Sequence, residues 1–179
     1  MKKVLSIIGY VVTALFILGI AIIILLNRSL PEGEEGACAE ALADRMLAAV
    51  NEPAWSTLRY VKWTFEDDHH YVWDRWYNLA EIKFDDYRVM LSANQRDGRA
   101  WKDGRLLEGE AKHKVVSKAW KSWCHHSFWF NPVTKIRDEG TIRKCVTLKD
   151  GEHALLVTYT SGGVTPGDSY LWLLDDDGL

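Results

Sequence analysis

The sequence has little cysteine and little proline, 3 and 4 residues in 179, and no compact catalytic signature. No Gly-x-Ser-x-Gly elbow, P-loop, His-Glu-x-x-His or Cys-x-x-Cys occurs, so nothing local specifies an active site. A basic excess is also missing. With 22 Lys+Arg against 25 Asp+Glu and a net charge of -3, nothing supplies the positive field that gripping a phosphate backbone requires, which argues against nucleic acid as a partner. There is no internal repeat and no low-complexity tract, and the length suits about one ordinary domain.

One stretch lacks charge altogether. From Val4 to Leu26 the chain runs 23 uncharged residues, which as a helix rising about 1.5 Å per residue is roughly 35 Å long and sufficient to cross a hydrocarbon core of about 30 Å. The expected organisation is a transmembrane anchor over 1–27, a short polar linker over 28–38 and one extracytoplasmic domain over 39–179. The competing reading is a cleaved secretory signal with Lys2 and Lys3 as its basic region, but the apolar run exceeds a usual signal core. Cys38 is no lipidation site, because acidic Glu35 stands where an aliphatic residue is wanted. Lys2 and Lys3 precede the span while Glu32, Glu34 and Glu35 follow it, so the amino terminus should face the cytoplasm. The single-pass protein then presents its domain outside, in the periplasm of a Gram-negative cell. Without the two lysines the outer part carries 20 basic against 25 acidic residues, about -5, which makes the helix, and no charged surface, its attachment to the membrane.

Beyond the linker the spacing predicts an α+β fold. Ala41, Leu42, Met46, Leu47 and Val50 recur at helical spacing within Ala39 to Val50, and Pro53 ends the pattern. The period then changes to two: Val61, Trp63 and Phe65 alternate with Lys62, Thr64 and Glu66, and Tyr87, Val89 and Leu91 follow the same rule. Further strands are expected over 70–77, 81–84, 141–148, 153–160 and 170–174. Asp-Gly pairs at 97, 103, 150 and 177 mark hairpin turns, since Gly accepts the positive φ of a type I′ turn. A second helix over 111–123 places Val115, Val116, Ala119, Trp120 and Trp123 on one face. The expectation is a curved, open-barrel-like antiparallel sheet with two helices packed on it. Tyr170 to Leu174 is an apolar strand followed by a turn with no second arm. This reads as a truncated product, or as an edge open to self-association or a partner.

Candidate site residues follow from composition. Nine tryptophans, 7 tyrosines and 5 phenylalanines are many rings for one sheet. They read as core packing, as a sugar platform, or as the lining of a cavity for an acyl chain. The cavity candidates are Trp63, Phe65, Trp73, Trp76, Trp101, Trp120, Trp123, Trp129 and Trp172, with Ser127 to Phe130 taken as extended. Cys124 with Cys145 is the candidate disulfide, stapling helix to sheet and leaving Cys38 free; three unpaired thiols are the alternative. His69-His70 and His125-His126 do not have chelating spacing on strands, so no metal and no cofactor is expected. Gly162 to Asp168 is Gly-rich but opens onto a strand, which makes it a turn and not a phosphate loop.

The order of these elements, a helix, strands from Tyr60 to Leu91, the hairpin Arg99 to Gly104 and the helix Ala111 to Trp123, resembles the periplasmic lipoprotein carriers LolA and LolB and the wider lipoprotein-sorting-like group. Phe128 to Val133, Lys135 to Gly140 and Thr165 to Trp172 are similar to uncharacterised membrane-anchored bacterial proteins. The resemblance implies a curved antiparallel sheet lidded by helices around a hydrophobic cavity for lipoprotein acyl chains. It transfers no lipid-contacting residue. The function expected is therefore a non-catalytic, membrane-tethered domain for a lipid or acylated protein. The alternatives are complex assembly through the edge at Tyr170 to Leu174, or a hydrolase using His125 and His126.

Overall fold

The computed structural model describes Tyr10, Val12, Thr13 and residues 15–20 and 29–178. The chain divides into two compact units, Met1–Glu32 and Gly33–Leu179. In the first, Tyr10, Val12, Thr13 and residues 15–20 are helical, and Tyr10, Leu15, Phe16 and Ile17 are exposed. The rest of the expected span from Val4 to Leu26 lies outside the described residues, and among the described residues no helix is long and apolar enough to cross a membrane.

The second unit is α+β. Helix α1 (Ala37–Ala49) and a short α2 (Glu52–Thr57) precede six strands, β1 (Tyr60–Phe65), β2 (His69–Asp74), β3 (Leu79–Phe84), β4 (Tyr87–Ser92), β5 (Asp97–Lys102) and β6 (Arg105–Leu106). Helix α3 (Gly109–Phe130), a 3₁₀ turn (Val133–Lys135) and strands β7 (Thr141–Thr147), β8 (His153–Tyr159) and β9 (Ser169–Leu173) complete it. The strands do not form the single sheet expected. They make a six-stranded antiparallel meander in the order β1 to β6 and a separate three-stranded sheet, β7-β8-β9. Neither sheet closes into a barrel.

Period-two patterning determines the register of the large sheet. Trp63, Tyr71, Ile82, Val89 and Ala100 lie opposite one another in a row across five strands, and all five are buried. Val115, Val116 and Ala119 of α3 complete this core. At its amino-terminal part α3 packs on β4 and β5. Its last turns reach the opposite edge, where Phe130 stacks on Trp63 at 4.9 Å and His126 on Phe65 at 3.9 Å. The helix thus runs across the sheet from β4 and β5 to β1. It is longer than predicted: Ser127 to Phe130 continue the helix instead of extending, because no breaker occurs until Asn131-Pro132, where the missing amide hydrogen and fixed φ of proline stop it.

The small sheet has its own core. Ala39, Leu42, Ala43 and Met46, one stripe of α1, meet Leu155 and Val157 of β8 with Val133 and Ile136. Glu40 on the same helix accepts hydrogen bonds from Arg143 at 2.8 Å and Arg137 at 3.0 Å. The Arg143 guanidinium chiefly, with Arg137, holds its carboxyl below the usual range.

Three local expectations are corrected. Asp97-Gly98 is no turn; Asp97 opens β5, and the reversal before it contains Arg96 with φ 53°. Gly98 is required there because a Cβ would stand 2.1 Å from the Met90 carbonyl oxygen. Strand β2 stops at Asp74, and Trp76 and Tyr77 sit in the following turn. The disulfide joins Cys38 to Cys145, leaving Cys124 free. Its pairing follows from backbone geometry: Glu34 and Cys145 exchange hydrogen bonds at 3.0 and 2.8 Å, which lays the segment before α1 along β7 and brings Cys38 within reach.

Candidate functional site

A cavity of about 300 Å³ lies where the end of α3 meets the β8–β9 connection. Helix α3 contributes Trp123, Cys124, His125, Ser127, Phe128 and Trp129. The 3₁₀ turn and the residues that follow it add Lys135, Asp138 and Glu139. The far wall is Tyr159, the loop Ser161 to Thr165, Asp168 and Tyr170.

The aromatic residues come together because α3 continues past Trp123. Phe128 packs edge-on against Tyr159 at 5.3 Å, and Trp129 against Tyr170 at 5.6 Å with their planes at 89°. Perpendicular ring pairs of this kind are favoured by the aromatic quadrupole. The Gly-rich loop is the β8–β9 turn that its composition predicts, and it is also a cavity wall. Thr160 anchors it by donating from its backbone nitrogen and its hydroxyl to the Gly140 carbonyl at 2.7 and 2.8 Å. Gly140 adopts φ 81°, and a Cβ on it would collide with Ser161 Oγ. At the other end the Tyr159 amide donates to the Asp168 carbonyl at 2.9 Å.

Three exposed acidic residues, Asp138, Glu139 and Asp168, border the cavity together with Lys135, whose Nζ lies 3.2 Å from Asp138. Burial raises the Tyr159 hydroxyl well above its usual value, with Asp138 adding to the effect. Burial and then Asp168 raise Tyr170. Both phenols stay protonated at neutral pH. Burial pushes the Cys124 thiol up to about 11, which keeps it a poor nucleophile. The Ser127 hydroxyl donates to the Cys124 carbonyl at 3.3 Å. Trp123 Nε1 and Tyr159 Oη are buried without a hydrogen-bond partner.

Of the nine aromatic candidates, Trp123 and Trp129 line this cavity. Trp63 is buried, stacked on Tyr71 at 4.6 Å, and Phe65 stacks on His126. Trp73 donates its indole N–H to Asn78 at 2.9 Å and meets Trp123 edge-on. Trp76 is 66% exposed beneath the Arg59 guanidinium. Trp101 packs under Arg88 and Trp120 under Arg96. Trp172 belongs to the core of the small sheet. Phe128, Tyr159 and Tyr170 line the cavity without having been predicted to. Their signal was weak: they lie on different elements, and only the helical phase of 127–130 turns Phe128 and Trp129 toward β8 and β9.

His69, His125 and His126 come together at one end of the large sheet, the ring of His126 lying 4.9 Å from that of His69 and 5.6 Å from that of His125. His126 Nδ1 and Tyr71 Oη are hydrogen-bonded at 2.7 Å inside the large-sheet core, and burial pushes the imidazole down to about 4. His69 pairs with Asp68 at 2.6 Å. Among the described residues the one group of three metal-type ligands is Cys38, Cys145 and His153, and the two cysteines are bonded to each other. Comparison with protein-family models, curated proteins and solved structures finds no match.

Proposed function

We propose that this chain is a membrane-tethered, extracytoplasmic domain that binds a lipid or acylated ligand without catalysis, in the manner of the lipoprotein carriers, and that its ligand site is the cavity at the end of α3. The supporting observation is that five rings, Trp123, Phe128, Trp129, Tyr159 and Tyr170, converge on one space of about 300 Å³. That volume equals roughly ten water molecules at about 30 Å³ each, at the small end of ligand pockets. It suits a head group or one short segment of chain, and a whole diacyl lipid exceeds it. The apolar, uncharged run from Val4 to Leu26 supports the tether, and the helix that runs across the meander supports a lidded, open-barrel-like sheet. Cys124 lines the cavity and is the free cysteine, so it reports occupancy. In the full chain in a maltoside detergent, lysophospholipid should slow alkylation of Cys124 several-fold. An unchanged rate at saturating lipid would refute the site.

The second reading, assembly through a sheet edge, draws support from β9. It forms one edge of the small sheet, and Leu173 on it is 64% exposed. Sedimentation distinguishes the two: association lost in Leu173→Lys with lipid binding intact favours assembly.

A further inference from the structure

We infer that the cavity recognises a substituted ammonium group, so that among acyl-bearing ligands the domain selects those with a choline- or ethanolamine-type head. This deepens the reading above and rests on it for the place of binding. The argument begins with charge. Asp138, Glu139 and Asp168 outnumber the single Lys135, whose charge is already matched by Asp138 at 3.2 Å. The carboxylate of a fatty acid would enter a field of its own sign. A cation would not.

The aromatic walls supply the second, independent element. An ammonium is attracted to the face of a Trp or Tyr ring within about 6 Å of its centroid, and more strongly when water is excluded. Trp129 and Tyr170 stand at 89° to each other, as Phe128 and Tyr159 do at 83°, so rings of both orientations border the space beside the carboxylates. A methylated or primary ammonium satisfies both features at once: ring faces take its apolar substituents and carboxylates its charge.

The test uses the full chain in maltoside detergent and native mass spectrometry. Lysophosphatidylcholine, lysophosphatidylethanolamine and lysophosphatidylglycerol of equal chain length are titrated, with tetramethylammonium and choline as lipid-free competitors. The two ammonium lipids should bind at least tenfold more tightly than the glycerol lipid, and Glu139→Gln and Asp168→Asn should each reduce that ratio. Two substitutions are used because Asp168 also anchors the loop through its backbone, whereas Glu139 accepts no hydrogen bond from the chain among those observed. Equal affinity for all three heads overturns this inference while leaving lipid binding in place. Binding of choline or tetramethylammonium alone, with no lipid bound, supports the ammonium site, identifies a soluble source and refutes the lipid reading. No binding of any probe refutes both.

Discussion

Breaking the Cys38–Cys145 bridge should destabilise the second unit more than any other side-chain change of similar size. The two cysteines are 107 residues apart, and closing a loop of that length removes denatured-state entropy equivalent to about 4.8 kcal/mol at 25 °C in the chain-entropy treatment. For a protein of this size, with a midpoint shift of about 2–4 °C per kcal/mol, the change is roughly 10–19 °C. A bridge between Cys124 and Cys145, 21 residues apart, would instead be worth about 3 kcal/mol. The two connectivities therefore differ in which variant matters as well as in magnitude. Thermal unfolding by circular dichroism on the full chain should show a large drop for the Cys38→Ser, Cys145→Ser double variant and for reduced wild type, and little change for Cys124→Ser. Peptide mapping without reductant should recover Cys38 linked to Cys145 and one alkylated thiol, Cys124. A midpoint unmoved by reduction, or Cys124 found in the linked peptide, would refute the pairing and the argument from the Glu34–Cys145 bridge that explains it.

The remaining predictions concern the large sheet. Burial lowers the folded-state pKa of His126 to about 4 from an ordinary 6.5, so the unfolded chain binds the extra proton first. The contribution of a neutral His126 is complete above about pH 6.5 and is lost as pH falls through about 4. His126→Gln should flatten that part of a stability–pH profile, and an unchanged slope would show that His126 titrates normally. Tyr71→Phe leaves His126 Nδ1 buried without its 2.7 Å partner and should cost about 1–3 kcal/mol in urea unfolding; a neutral effect would contradict the bond. Gly98→Ala puts a methyl group against the Met90 carbonyl and should cost about 1–3 kcal/mol through a shift of β5 against β4, with wild-type stability as the contrary result.

How much of this was legible in the sequence depends on the range of the interaction. The helical spacing of Ala41, Leu42, Met46, Leu47 and Val50 and the alternation Val61, Trp63, Phe65 are local, and each became the element its period implies, although the buried stripe takes Ala39 and Ala43 and leaves Ala41 exposed. Asp103-Gly104 and Asp150-Gly151 became turns, because flanking strands and turn chemistry agree there. Asp97-Gly98 did not: the same dipeptide serves close strand packing, and only the partner strand shows it. The disulfide was misread for a similar reason. Cys38 sits in a stretch whose Gly and Glu content reads as linker, and nothing short-range reveals that Glu34 pairs with β7. Tryptophan abundance pointed to a lined cavity without showing which rings would face it. Seven of the nine candidates are used elsewhere, in core packing, under arginine side chains or at the surface, while Phe128, Tyr159 and Tyr170 required the continuation of α3 to Phe130 and the course of the 160–168 loop. The cavity's carboxylates lie on two connections that no periodicity covers.

The most direct measurement is native mass spectrometry of the full chain extracted in a mild maltoside detergent, compared with a Val164→Trp variant that fills the cavity from the loop. The binding reading predicts a co-purified or added lipid mass on the wild type, released on unfolding and absent from the variant, with the Cys38–Cys145 link intact in both. A bare mass that takes up no added lipid, or equal lipid uptake by the two proteins, would contradict it.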